Sequence, residues 1–250
     1  MIEPRPYHRI AEQLGGWSWL VLCALLPVSG AWITIPLAIS VAALLLSRFG
    51  RPFSIGWPTL WPLYVFYVLH IVGMAWSTDI AFGMFDLQIK SGLVLLPLAA
   101  AIFARVQGDG ALRQSMVAFA AGTSFAIVLS GIKALECYGV KGWIECFTQS
   151  YLSFDLHPSY AAWYAVWALV FWAFALLNGE IPPRWRWAVI GFLLLAMVFS
   201  VMLASKSGLM CLGAMVLVFV VSVVRKLTGL LRWKVLGALA LLILVPSYLL

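Results

Sequence analysis

The tetrapeptide Ser205-Lys206-Ser207-Gly208 places one ammonium among two hydroxyls and a glycine, between two apolar runs. Such a group can hold an anionic headgroup such as phosphate or diphosphate. The lysine supplies charge, and the Ser207 and Gly208 N–H groups opening the next helix supply donors, because helix N-termini favour anions. A lysine snorkelling at a membrane interface accounts for the same residue more plainly. Asp86 and Lys90 stand at i and i+4 in another apolar run, one turn apart on one helix face. A lysine just inside a membrane span needs a polar cavity or a partner, so the two residues read as a structural pair, as a second headgroup cation, or both. Asp155 precedes a third candidate, His157-Pro158-Ser159-Tyr160. Pro158 suits a first helical turn and Tyr160 suits an interface. His157 is explained less well by capping, and near neutral pH it can serve as a general base or a donor to phosphate.

His8, His70 and His157 are too scattered to argue for a metal site. No phosphate-binding glycine loop, HExxH, CxxC pair or GxSxG occurs. Neither a metal nor a cofactor is therefore expected.

The elements that must position these residues follow from composition and charge. At 64% hydrophobic and 10% charged, with mean hydropathy +1.02, the chain is not a soluble globular protein. The net charge of +7 does not mark a nucleic-acid surface, because the cations lie in short gaps between apolar runs. Of 16 Lys and Arg, all but Lys90, Lys133, Lys141 and Lys206 fall in five gaps: Arg5/Arg9, Arg48/Arg51, Arg105/Arg113, Arg184/Arg186 and Arg225/Lys226/Arg232/Lys234. Every second gap is one of these. Translocating Lys and Arg is costly, so the basic gaps are read as cytoplasmic. Tryptophans near the ends of runs, including Trp17, Trp19, Trp61, Trp76, Trp185 and Trp187, read as interfacial anchors.

A crossing helix needs about 20 apolar residues. The runs predict an all-α polytopic bundle of about nine spans with the N-terminus cytoplasmic: 14–29, 31–47, 57–75, 83–104, 113–135, 158–177, 187–204, 208–224 and a ninth from 235 to 250. Pro27, Ser29 and Gly30 form the turn that divides the first apolar stretch. Residues 136–156 form the main external loop, and 205–207 a very short external turn. Residues 1–13 are polar and no convincing cleavage site follows, so the first span is expected to serve as its own insertion signal. The last run reaches Leu250 without a polar flank, so the chain is expected to end within or at the end of span nine. The whole of 1–250 reads as one integral membrane domain without an internal repeat. Cys137 and Cys146 sit in or beside the external loop, where a disulfide is permitted. Free thiols remain the alternative, because a bridge depends on a Cα separation that spacing does not give.

Three local patterns then bring a family into view. They are Trp76-Ser77-Thr78-Asp79 followed by a charged span with Leu95-Leu96-Pro97; His157-Pro158-Ser159-Tyr160 opening a span after an external loop; and Ser205-Lys206-Ser207-Gly208 at a tight turn. In order and placement the chain resembles the O-antigen ligase and polymerase family of bacterial inner-membrane glycan transferases over nearly all its length. The resemblance implies the front part of a domain of about twelve spans. It implies transfer of a glycan from an undecaprenyl-diphosphate carrier to a lipid or glycan acceptor on the periplasmic face, without metal or cofactor. Lys206 stands where family members carry an arginine for the diphosphate; it keeps the charge and loses the bidentate fork. The family's catalytic base would lie beyond Leu250. His157 does not match it, and the 250 residues alone are expected to be inactive. A polytopic transporter or flippase without bond-making chemistry is the alternative, with Asp86 and Lys90 marking a substrate or proton path.

The charge pattern generates a first prediction. A cysteine at position 184 resists a membrane-impermeant thiol reagent applied to intact cells, whereas one at position 79 is labelled. Labelling of position 184 from outside contradicts the cytoplasmic assignment.

Overall fold

The computed structural model describes residues 6–48, 57–153 and 156–226. Among them the regular elements are helices only: α1 (Pro6–Leu25), α2 (Thr34–Arg48), α3 (Trp57–Gly73), α4 (Ile80–Lys90), α5 (Gly92–Gln107), α6 (Ala111–Lys141), α7 (Gln149–Leu152), α8 (Pro158–Leu177), α9 (Pro183–Met202) and α10 (Lys206–Lys226). Three helical stretches are long and apolar enough to cross a membrane: Ile80–Lys141, which runs through α4, α5 and α6, then Pro158–Leu177 and Pro183–Met202. The proposed ninth run and Asp155 lie outside the described residues.

Residues sort onto helix faces as a lipid solvent demands. In α9 the buried side chains are Ala196, Phe199 and Ser200, while Leu194, Leu195, Val198 and Val201 are exposed. In α8 the buried face is largely alanine. Lipid tails are as apolar as leucine, so helices in a bilayer associate through small residues that allow close approach. Hydroxyls on these helices bond back to their own carbonyls: Ser200 donates to the Ala196 carbonyl at 2.8 Å and Ser124 to that of Ala120 at 2.7 Å. That satisfies the hydroxyls without water.

The chain divides into two compact units, one ending at Ile132 and the other made of Lys133–Ser153 and the chain from His157. In the first, α1, α2 and α5 enclose Trp19, Leu22, Leu44, Ile102 and Phe103. Trp19 is 8% exposed, and its indole N–H donates to Ser115 Oγ at 2.9 Å. It is therefore a packing residue and not the interfacial anchor its position suggests; Trp17, Trp76 and Trp187 do stay exposed. His8 is buried and donates from Nδ1 to the Ser47 carbonyl at 3.1 Å, which fixes its tautomer because a carbonyl only accepts. Gly15 packs on Leu44, and Ser40 donates to the Gly15 carbonyl at 3.3 Å.

The expected span over 83–104 is divided. Asp79 caps α4, accepting from the Phe82 N–H at 2.9 Å, so the helix starts at Ile80. It ends at Lys90, and α5 begins at Gly92. Gly92 costs helix stability, and Pro97 removes a ladder donor and crowds the preceding turn, which is the physical reason for a break here. The expected span over 113–135 runs longer, as α6 continues to Lys141.

In the second unit, α8 packs against α9 and α10. The external segment is not irregular throughout: Gly142, with φ of +68°, turns the chain out of α6, and a 3-10 turn over Ile144–Phe147 and the short α7 follow. Cys137 and Cys146 form a disulfide with their Cα atoms 5.8 Å apart, which decides the alternative that spacing left open.

Gly122 is the tightest helix contact of the first unit. A Cβ there would meet the Ala24 backbone carbonyl, whereas one on Gly131 would meet nothing within 4 Å. Backbone cannot move aside as a side chain can. Gly122→Ala is expected to destabilise by about 1–3 kcal/mol, the usual range for overpacking, and Gly131→Ala to be neutral or stabilising. Thermal unfolding of the purified protein in detergent checks both; a Gly122→Ala melting point equal to wild type contradicts the packing described.

Candidate functional site

In the second unit the start of α8 and the start of α10 meet around a cleft of about 460 Å³. His157, Ser159, Ser205, Lys206 and Ser207 line it together with Gln149 and Ser150 from α7. Each helix end is set locally. His157 caps α8, its Nδ1 accepting from the Ser159 N–H at 3.3 Å, with Pro158 in the first turn. In the neutral ring the proton then sits on Nε2, so His157 offers the cleft a donor and has its basic nitrogen occupied. That favours the donor role over the base role.

Ser205 is the junction. It is 8% exposed, and its Oγ accepts from the Gly208 N–H at 3.3 Å, capping α10. The same hydroxyl donates to Ser159 Oγ at 3.1 Å and lies 3.1 Å from Ser207 Oγ. A hydroxyl has one hydrogen, so Ser207 must be the donor in the second contact. The chain of hydroxyls runs Ser207 to Ser205 to Ser159, and the hydrogen left over is on Ser159, at the mouth of α8. Helix geometry leaves the first N–H groups of α10, those of Lys206 and Ser207, without an intrahelical acceptor. Lys206 is exposed, and no ion pair joins it to a described carboxylate. The cleft thus gathers one ammonium, hydroxyl and imidazole donors, and free backbone N–H groups.

Backbone strain marks the same place. Among the described residues, the non-glycine positions with positive φ are Gln149 at 45° and Ala204 at 48°, and both line this cleft. Such conformations cost on the order of 1–3 kcal/mol and tend to cluster at functional sites.

Beneath the cleft, the same three helices form an apolar groove of about 460 Å³. Trp167 and Phe174 come from α8, Leu193 and Met197 from α9, Met215 and Val218 from α10. Eight to twelve residues separate Lys206 from the α10 lining, which is roughly 12–18 Å along the helix axis. That is the depth of lipid tails below a headgroup.

Tyr160 is exposed, edge-on to the His157 ring at 5.9 Å, and does not line the cleft. Lys90 and Asp86 belong to the first unit, where the ammonium lies 2.5 Å from the carboxylate. This is the structural pair anticipated for i and i+4. Asp86 also borders a cleft of about 360 Å³ with His70 and Ser77. Among the described residues no group of His, Cys, Asp and Glu side chains could hold a metal ion. Gln149 and Ser150 were not legible as site residues, because a polar residue in an external loop carries no signal of which side of the fold it will face.

No family model matches this chain, no characterised protein matches its sequence, and no solved structure matches its fold.

The Ser205 hydroxyl caps one helix and ties it to another, so its loss is expected to be felt. Ser205→Ala should destabilise by about 1–2 kcal/mol, the upper half of the range for an N-cap, and Ser205→Thr by less. A thermal melt comparing the two checks this. An unaltered melting point for Ser205→Ala contradicts the junction role.

Proposed function

We propose that the protein belongs to the glycan-transfer machinery of a bacterial inner membrane, as an O-antigen ligase-like or polymerase-like transferase acting on the periplasmic side. The observation that carries this reading is the stacking of a cationic, donor-rich cleft directly above an apolar groove on the same helices α8, α9 and α10. A lipid-linked diphosphate has that shape and chemistry: an anionic head and a long apolar tail. In this reading the chain crosses the membrane about nine times with the N-terminus inside. The disulfide between Cys137 and Cys146 suits an external, oxidising position for residues 136–156.

The chemistry follows from the groups present. An acceptor hydroxyl forms a bond to the anomeric carbon, the bond from that carbon to the diphosphate oxygen breaks, and the hydroxyl proton is released. Negative charge develops on the leaving diphosphate. Lys206, the Ser159 hydroxyl, His157 Nε2–H and the N–H groups opening α10 stabilise it, and pre-placed donors of this kind are worth most where charge develops. Lys90, already paired with Asp86, is the second candidate for a substrate contact and not the first.

The transporter reading has its own supporting observation, the Asp86–Lys90 pair beside His70 in the first unit. Under that reading Asp86→Asn abolishes function while Lys206→Gln is tolerated.

In the intact protein, Lys206→Arg is expected to keep activity and Lys206→Gln to lose most of it. A lost charge-assisted contact costs about 1.5–3 kcal/mol, roughly 10- to 150-fold in rate or binding. Transfer of glycan from a lipid-diphosphate donor, measured at matched membrane levels, checks this. Near-normal transfer by Lys206→Gln leaves Lys206 as an interfacial anchor and removes the headgroup role.

A further inference from the structure

The wall of the cleft opposite Lys206 comes from α7, and α7 is held by an unusual density of fixed points. Cys146 is tied to Cys137 of α6 three residues before Gln149. Two residues after Gln149, Tyr151 lies under the Lys141 ammonium, whose Nζ is 5.2 Å from its ring centroid and 5.1 Å from that of Trp143. Tyr138 and Phe147 stack their rings at 5.7 Å across the same hairpin. Cys146 and Leu152 are 1% and 3% exposed, so both ends of the segment are seated in protein. Between these anchors sits Gln149 with φ of 45°, facing the cleft. A side chain with a Cβ does not stay in that conformation unless its flanks hold it there. Thr148 before it is extended, so nothing helical on the N-terminal side imposes the turn.

We propose that the Cys137–Cys146 disulfide is a positioning device for the headgroup cleft: it holds Gln149 in its left-handed conformation and so places the Gln149 amide in the wall facing Lys206. The functional part rests on the reading of the cleft as a diphosphate site. The amide NH₂ then donates to the anionic head, and the strained backbone keeps it aimed. Breaking the disulfide lets Gln149 relax to negative φ, which turns its side chain away and loosens the wall. The site is complete only in the oxidised protein, and the chain depends on a disulfide-supplying oxidant of its compartment. In oxidation the two thiols lose two electrons and two protons, one S–S bond forms, and the oxidant's disulfide becomes a dithiol.

The test uses the full chain in lipid nanodiscs, before and after reduction with a water-soluble phosphine. The phosphine takes up oxygen from water as the S–S bond becomes two thiols. Conversion is verified by the mass added on alkylation. Amide hydrogen exchange over residues 146–153 is expected to quicken at least tenfold on reduction, with 162–175 of α8 unchanged. The Cys137→Ser/Cys146→Ser variant should match the reduced protein. Equal exchange over 146–153 in both states overturns the positioning role. Farnesyl diphosphate serves as the headgroup probe in a second arm. Its apparent Kd should rise about tenfold on reduction, and Gln149→Ala in the oxidised protein should reproduce that rise without changing exchange in α8. If farnesyl diphosphate binds equally well to both states, the proposal fails and the headgroup reading stands. If it binds neither, the headgroup reading fails, and the exchange result alone decides whether the disulfide fixes α7.

Discussion

The second unit depends on the approach of α10 to α8 at Gly208. A Cβ at that position would run into the Cβ of Ala162. Because both residues are small, the two helix starts come close enough for Ser205 to reach Ser159. That one contact caps α10, orders the three hydroxyls and sets Lys206 at the rim of the cleft. It also decides what lies below. Helices this close at one end, with tryptophan, phenylalanine and methionine further along, leave an apolar groove between them. Head site and tail site are two consequences of one packing decision, and no separate element is needed to build either.

The membrane explains why small residues carry this much of the architecture. With lipid outside, burying leucine gains little over leaving it exposed, so close approach and satisfied polar groups provide the selectivity between packings. Alanine, glycine and serine are accordingly what α8, α9 and α10 bury, and hydroxyls there are bonded to carbonyls or to one another. A serine cluster of this type is inexpensive to hold in place and is already oriented before a ligand arrives. Pre-orientation is what a site for a developing anion requires.

Much of this was legible in the residues. The run 158–177 coincides with α8, because Pro158 and Asn178 punctuate it at both ends. Ser205, Lys206, Ser207 and His157 were singled out by type, and the fold does gather them. The misses have physical reasons. Hydropathy sums over a window and is blind to a break inside it, so 83–104 read as one helix although Gly92 and Pro97 divide it at Ser91. Trp19 looked like an anchor because its partner, Ser115, is distant in sequence. The contributions of Gln149 and Ala204 depend on positive φ, which neither residue type announces. Spacing alone left the disulfide undecided, since a separation of nine residues fits many Cα distances besides the observed 5.8 Å.

The central claim is that α8, α9 and α10 hold the head and the tail of one lipid-linked diphosphate. Photocrosslinking tests it most directly. A prenyl diphosphate with a diazirine midway along its tail is bound to the protein in nanodiscs, irradiated, and the adducts are mapped by mass spectrometry. The account predicts adducts on groove residues such as Trp167, Met197 and Met215, abolished by excess unlabelled prenyl diphosphate but not by the corresponding prenyl alcohol. Adducts scattered over the lipid-facing surfaces of α3 and α6, or competed equally well by the alcohol, would contradict it.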